Sequence, residues 1–189
     1  MMTFDDLLKN RRAIRDFQDK EVSLKVIEEI LQESTLAPSA SNGQPCRFSI
    51  VQCRKTIKAL SDESKANLLD DNAKNKISLL PQYIDFLKDQ NFNVFYNAPC
   101  VIFIIGSTSV RSLDVDCALA ASYIMFSAAA RGLGTCWINL GSNIRDPQLK
   151  ALLGIPDGCR IVAPIIIGYS KEIPPATERH APEILKVIK

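Results

Sequence analysis

Apolar residues recur at helical spacing from the start of the chain. Phe4, Leu7 and Leu8 share one face behind Thr3, a helix-capping residue, with Asp5 and Asp6 in the first turn and Lys9, Arg11 and Arg12 at the end. Ser23 caps a second expected helix, carried by Val26, Ile27, Ile30 and Leu31, and a stiff polar loop, "LAPSASNGQP" (Leu36 to Pro45), follows it. The alternation in "CRFSIVQ" (Cys46 to Gln52) predicts a strand, and "TIKALSDESKANLL" returns to the helical period. Residues 70–97 mix a charged run with aromatics, so one helix and some irregular structure are expected there. "APCVIFIIG" reads as a strand buried on both faces. An alanine-rich helix is expected over Asp114–Arg131, with acids at its start, arginine at its end and Gly132 placed to stop it. A short strand at "TCWINL", a helix over Pro147–Leu153 and a long strand at "CRIVAPIIIGY" complete the pattern before a proline-rich tail. About five helices and four strands in mixed order predict a single α+β domain over residues 1–189, without internal repeats.

Composition narrows the class. The 189 residues, 47% of them hydrophobic and 23% charged, suit a globular protein with one core. A net charge of +2 argues against a generic nucleic-acid binder. The acidic start "MMTFDDLLKN" lacks the basic region of a secretory signal, which makes the cytoplasm the expected location. The longest apolar helical run, Cys117 to Ala130, is broken by serines and shorter than the roughly 20 residues that cross a bilayer, so no membrane span is expected. The six cysteines show no C-x-x-C pair, and the single histidine, His180, has no cysteine near it; buried reduced thiols are expected rather than a metal site.

Three segments carry chemistry-bearing residues. "RRAIRDF" places Arg11, Arg12 and Arg15 at or just past the end of the first helix, either as a phosphate clamp or as cations that complement the helix dipole. In the 36–45 loop, Pro38 and Pro45 stiffen the chain while Ser39, Ser41, Asn42 and Gln44 offer donors and acceptors; a binding loop and a plain connector both fit. "ARGLGTCWINLG" has two glycines after a helix and before a strand, the reverse of the dinucleotide-binding order, which excludes a Rossmann site. No G-x-S-x-G elbow is present, and Asp114 and Asp116 read as the start of a helix rather than an acid–base pair. An enzyme built this way needs a cofactor for the hard chemistry.

Taken in order, "RRAIRDF", "LAPSASNGQPCRF", "NAPCVIFIIG", "RGLGTCWI" and "GYSKEIPPATER" resemble the nitroreductase family of FMN-dependent oxidoreductases. The resemblance implies a mixed, mostly antiparallel sheet flanked by helices, in an intertwined homodimer with FMN at the subunit interface. It places Arg11, Arg12, Ala13 and Arg15 on the phosphate and ribityl chain, with Arg179 completing the clamp. Pro38, Ser39, Ala40, Asn42 and Gln44 would face the flavin ring from the other subunit, and Trp137, Ile138, Asn139 and Leu140 would border its far edge, with a backbone N–H on the reactive nitrogen. No catalytic side chain is implied; NADH or NADPH would reduce the flavin, and a small acceptor such as a nitroaromatic or quinone would then take the hydride. Other activities on the same fold are ene reduction, reductive dehalogenation and flavin fragmentation, and a non-catalytic FMN-binding sensor or store is a further reading.

Two residues depart from the family pattern. Ala13 stands where many relatives have serine, which removes one hydroxyl contact to the cofactor. Cys46 stands where an aromatic commonly follows "QP", which implies looser packing behind the loop. The alanine-rich helix, with small side chains along it, fits either a dimer interface or a buried core helix.

Overall fold

The computed structural model describes residues 3–189. Thr3 caps α1 (Phe4–Asn10) through a reciprocal capping box with Asp6, and the Ser23 hydroxyl accepts from the Val26 amide to start α2 (Leu24–Ser34). The chain continues through β1 (Arg47–Val51), α3 (Arg54–Ala73), α4 (Pro81–Lys88), β2 (Cys100–Ser107), α5 (Leu113–Ala130), β3 (Gly134–Trp137), α6 (Pro147–Leu152) and β4 (Cys159–Gly168). Six α-helices form among the described residues against a tally of about five, each at a place where the apolar pattern predicts one. The "TCWINL" strand is shorter than expected. It ends at Trp137, and Asn139–Gly141 turn into a 3-10 helix.

The four strands lie in the order β1-β2-β4-β3, and every ladder is antiparallel. The parallel component reduces to an isolated bridge between Ala13 and Thr135. Alternation along β2 divides the core into two layers. Val101, Phe103 and Ile105 face Ile57 and Leu60 of α3, Leu87 of α4, and Phe95. Ile102 and Ile104 face Ile27 and Ile30 of α2 with Cys117, Ala121 and Ile124 of α5. Helices thus cover both faces, which explains why β2 reads as an unbroken apolar run.

At 18 residues, α5 is long and apolar enough by composition to cross a membrane, but here Leu113, Cys117, Ala121, Ile124 and Ala128 pack into the core beside α2. Its other side is apolar as well. Val115, Leu119 and Tyr123 form an exposed stripe at helical spacing.

Candidate functional site

The arginine segment is fixed to the sheet by two apolar pegs. Ile14 donates its amide to Thr135 O at 2.9 Å, and its side chain lies so close to Gly134 that a Cβ there would come within 2.7 Å of it. Three residues on, Phe17 bridges Ser170, and its ring fills the corresponding gap at Gly168, again 2.7 Å from where a Cβ would stand. The second glycine of "GLG" therefore admits a side chain of the protein itself. The first, Gly132, ends α5 with φ 72°. With Ile14 and Phe17 buried, the residues between and before them remain available for a ligand.

Arg11 and Arg12 meet Arg179 of the tail around one cavity of about 380 Å³. The arginine ion pairs among the described residues belong to Arg54, Arg131, Arg145 and Arg160; Arg11, Arg12, Arg15 and Arg179, like Arg47 and Arg111 elsewhere, have no carboxylate partner. Arg12 also serves its own helix, donating to Lys9 O at 2.6 Å and Arg11 O at 2.9 Å, while its Nε is buried without an acceptor. The dipole reading of this residue is thus realised, with part of the guanidinium still unsatisfied. Converging, unpaired guanidinium groups fit a doubly charged phosphate monoester, which accepts several charge-assisted hydrogen bonds.

Arg15 points into a second cavity, of about 360 Å³, shared with Tyr83, Tyr96 and the segment Trp137–Leu140. Its guanidinium lies 5.7 Å from the Tyr96 ring centre. Tyr96 and the next residue, Asn97, hold left-handed φ values of 53° and 52°. Strained backbone of this kind persists where surrounding structure over-determines it. Trp137 Nε1 is buried without an acceptor. The Ile138 amide is committed to Pro164 O at 2.8 Å, so the N–H groups that the start of a helical turn leaves free are those of Asn139 and Leu140. Aromatic walls, one cation and unspent donors suit a flat, polar-edged ring.

The 36–45 loop lies apart from both cavities. Pro38, Ala40, Asn42 and Gln44 are exposed, and Ser41, Asn42 and Gln44 hold φ values of 51°, 53° and 44°. Ser39 organises the loop, its hydroxyl accepting from the Gln44 amide at 3.0 Å and its carbonyl from the Asn42 amide at 3.0 Å. The residue that sequence reasoning missed is Asp116. It is buried, accepts from the Ala40 amide at 3.0 Å and from Ser112 Oγ at 2.7 Å, and so fastens the loop to α5. The signal was present: Asp116 falls on the stripe Ala120, Ile124 and Ala128, where an acid must find partners.

The sequence profile of the Nitroreductase family matches residues 8–169. The chain belongs to the nitroreductase family. It is 29% identical over 201 residues to a 4-nitrobenzoate reductase of Pseudomonas putida, covering 89% of this chain and 86% of the relative. Among solved structures, an FMN-bound nitroreductase of Bacteroides fragilis aligns at a TM-score of 0.80 and 21% identity, covering 97% of this chain and 96% of that one. An iodotyrosine deiodinase bound to FMN and 3-iodo-L-tyrosine aligns at 0.74 and 20% identity, covering 96% and 97%. These likenesses establish the nitroreductase fold.

Proposed function

We propose that this nitroreductase-family protein is an FMN-dependent NAD(P)H oxidoreductase that reduces nitroaromatic or quinone-type acceptors in a homodimer. The observation that carries the reading is the convergence of Arg11, Arg12 and Arg179, without carboxylate partners, on one cavity, while Arg15 of the same short segment lines the aromatic cavity of Trp137. In this reading Arg11, Arg12 and Arg179 hold the phosphate, and Ala13 contributes backbone where a hydroxyl is missing. Arg15 supplies positive charge that favours an anionic reduced ring. Trp137, Ile138, Asn139 and Leu140 line the ring edge, with Asn139 and Leu140 N–H groups free to donate. FMN supplies the hydride relay when bound, so no side chain of this chain has to act as acid or base.

A second copy is needed because Pro38, Ser39, Ala40, Asn42 and Gln44 line neither cavity of their own chain. The exposed stripe Val115, Leu119 and Tyr123 on α5 and the exposed Phe4 and Leu8 of α1 offer the surface for that pairing.

The test is spectroscopic. Purified protein is expected to be a yellow dimer that bleaches on anaerobic addition of NADH or NADPH and regains colour with a nitroaromatic such as 4-nitrobenzoate. Colourless protein that cannot be reconstituted with FMN would overturn the assignment. A flavin that stays oxidised with both nicotinamides would instead identify a binding protein or a different electron donor. Arg11→Ala and Arg15→Ala are each expected to weaken FMN binding by roughly 1.5–3 kcal/mol, read by flavin release on dilution.

A further inference from the structure

The residue behind the loop has a partner that its sequence position does not reveal. Cys46 Sγ lies 3.5 Å from Cys117 Sγ on α5, the only sulfur–sulfur contact among the described residues. Cys117 follows Asp116, the carboxylate that already accepts from the Ala40 amide. The end of the loop and its middle therefore meet α5 at consecutive residues. We propose that Cys46 and Cys117 form a peroxide-sensitive thiol pair whose reversible disulfide ties the 36–45 loop to α5.

Access and reactivity both favour Cys46 as the attacking sulfur. It is half-buried and lines a cavity of about 100 Å³ with Thr35, Pro38, Ser39, Gln44 and Asp116. That volume has room for about three waters, so hydrogen peroxide fits, and Thr35, Ser39 and Gln44 in an otherwise largely apolar lining can hydrogen-bond it. The contact with Cys117 draws the Cys46 thiol below its ordinary range, against burial and the charge of Asp116. Cys117 is pushed up by the same contact and by burial, so it stays protonated until its partner is oxidised. Elsewhere, burial pushes Cys100 up to about 12 and raises Cys136, and neither touches another sulfur.

The chemistry balances in two steps. The Cys46 thiolate attacks one peroxide oxygen, the O–O bond breaks, and the departing hydroxide takes up the proton lost by the thiol, giving a sulfenic acid and water. The Cys117 sulfur then attacks Cys46 Sγ, the S–O bond breaks, and the leaving hydroxide takes the Cys117 proton as a second water. Two thiols and one peroxide become one disulfide and two waters. The sulfurs must close by ~1.5 Å to reach bonding distance, a movement the exposed loop side can supply.

The experiment uses the full chain in a Cys53→Ser background, because Cys53 is the exposed thiol that would compete for reagent. After treatment with a small excess of hydrogen peroxide and alkylation, free thiols are expected to fall from five to three. Peptide mass mapping is expected to show Cys46 joined to Cys117 within one chain, reversibly with dithiothreitol, and Cys46→Ser in that background should retain all four remaining thiols. Amide exchange over residues 38–44 is expected to slow about tenfold on oxidation. A disulfide between two chains, Cys46 carried to sulfinic acid beside an alkylatable Cys117, or unchanged exchange in the cross-linked protein would overturn the proposal. The thiol count and the mass map do not depend on bound flavin, and exchange is compared at equal flavin occupancy.

Discussion

Two buried or bridging carboxylates decide local geometry at the scale of single residues. Asp116 is the acceptor for a backbone amide whose loop carries three non-glycine residues in the left-handed region. Replacing it with alanine leaves the Ala40 amide and the Ser112 hydroxyl without their acceptor, so Asp116→Ala is expected to lower stability by about 1–3 kcal/mol in urea unfolding and to speed amide exchange in the loop. Glu33 works differently. Arg131 donates to its two oxygens at 2.5 and 2.8 Å and Ser127 adds a bond of 2.5 Å, joining α2 to α5. These contacts, Arg131 first, hold the Glu33 carboxyl at about 2 against an ordinary 4.5. Because the folded value lies below the unfolded one, the stabilisation is complete above pH ~4.5 and disappears as the pH falls toward 2. The Glu33 side chain is 46% exposed, so solvent screens the pair and its worth is about 1 kcal/mol rather than the full shift. Glu33→Gln is therefore expected to unfold at lower urea concentration than the parent at pH 7, with the difference vanishing near pH 2.

Glycine notches set the positions of elements against one another. A Cβ at Gly134 would press on three atoms of the Ile14 side chain at 2.7–2.8 Å, and Ile14 is the peg that holds the arginine segment on β3. Gly134→Ala is expected to destabilise by about 1–3 kcal/mol through overpacking and to reduce FMN retention as well, since Arg11, Arg12 and Arg15 move with Ile14. An equal loss of stability with unchanged flavin affinity would uncouple the peg from the clamp. The helices and strands were legible because each buries a periodic face: the α2 stripe, the β2 run and the α5 cap signals all appear where the apolar pattern places them. What the pattern does not encode is contact between distant segments. The cap signals assign Gly132 to the end of α5, but nothing in "GLG" says that Gly134 receives Ile14 from over a hundred residues away. The strand expected through Leu140 stops at Trp137: the Ile138 amide still bonds Pro164 O on β4, and Asn139–Gly141 then turn away into a 3-10 helix. The loop's left-handed residues are Ser41, Asn42 and Gln44, while its glycine has an ordinary helical φ of −71°, the opposite of what a residue-by-residue reading assigns.

The whole molecule combines a core that is complete in one chain with a site proposed to be divided between two. α5 is apolar on all sides, and such a helix is stable in water only when all sides are covered. Its inner residues meet the sheet and α2, whereas Val115 remains 64% exposed and Tyr123 40% exposed on the outer side. The same chain leaves the Pro38–Gln44 loop exposed, away from the arginines it is proposed to serve. One pairing satisfies both requirements if α5 packs against its copy and each loop reaches the other chain's flavin. Leu119→Glu then tests the two together, because a two-fold interface would meet the introduced charge twice, with like charges opposed at a cost of several kcal/mol. Its side chain is 36% exposed in the single chain, so the inner packing of α5 has room to survive the change. Light scattering is expected to report a monomer with the helical content of the parent, and absorbance to show flavin retention reduced by at least about tenfold, the equivalent of 1.4 kcal/mol. A folded monomer that keeps its flavin would place the whole site within one chain, and the 36–45 loop would revert to a connector whose rigidity serves only α5.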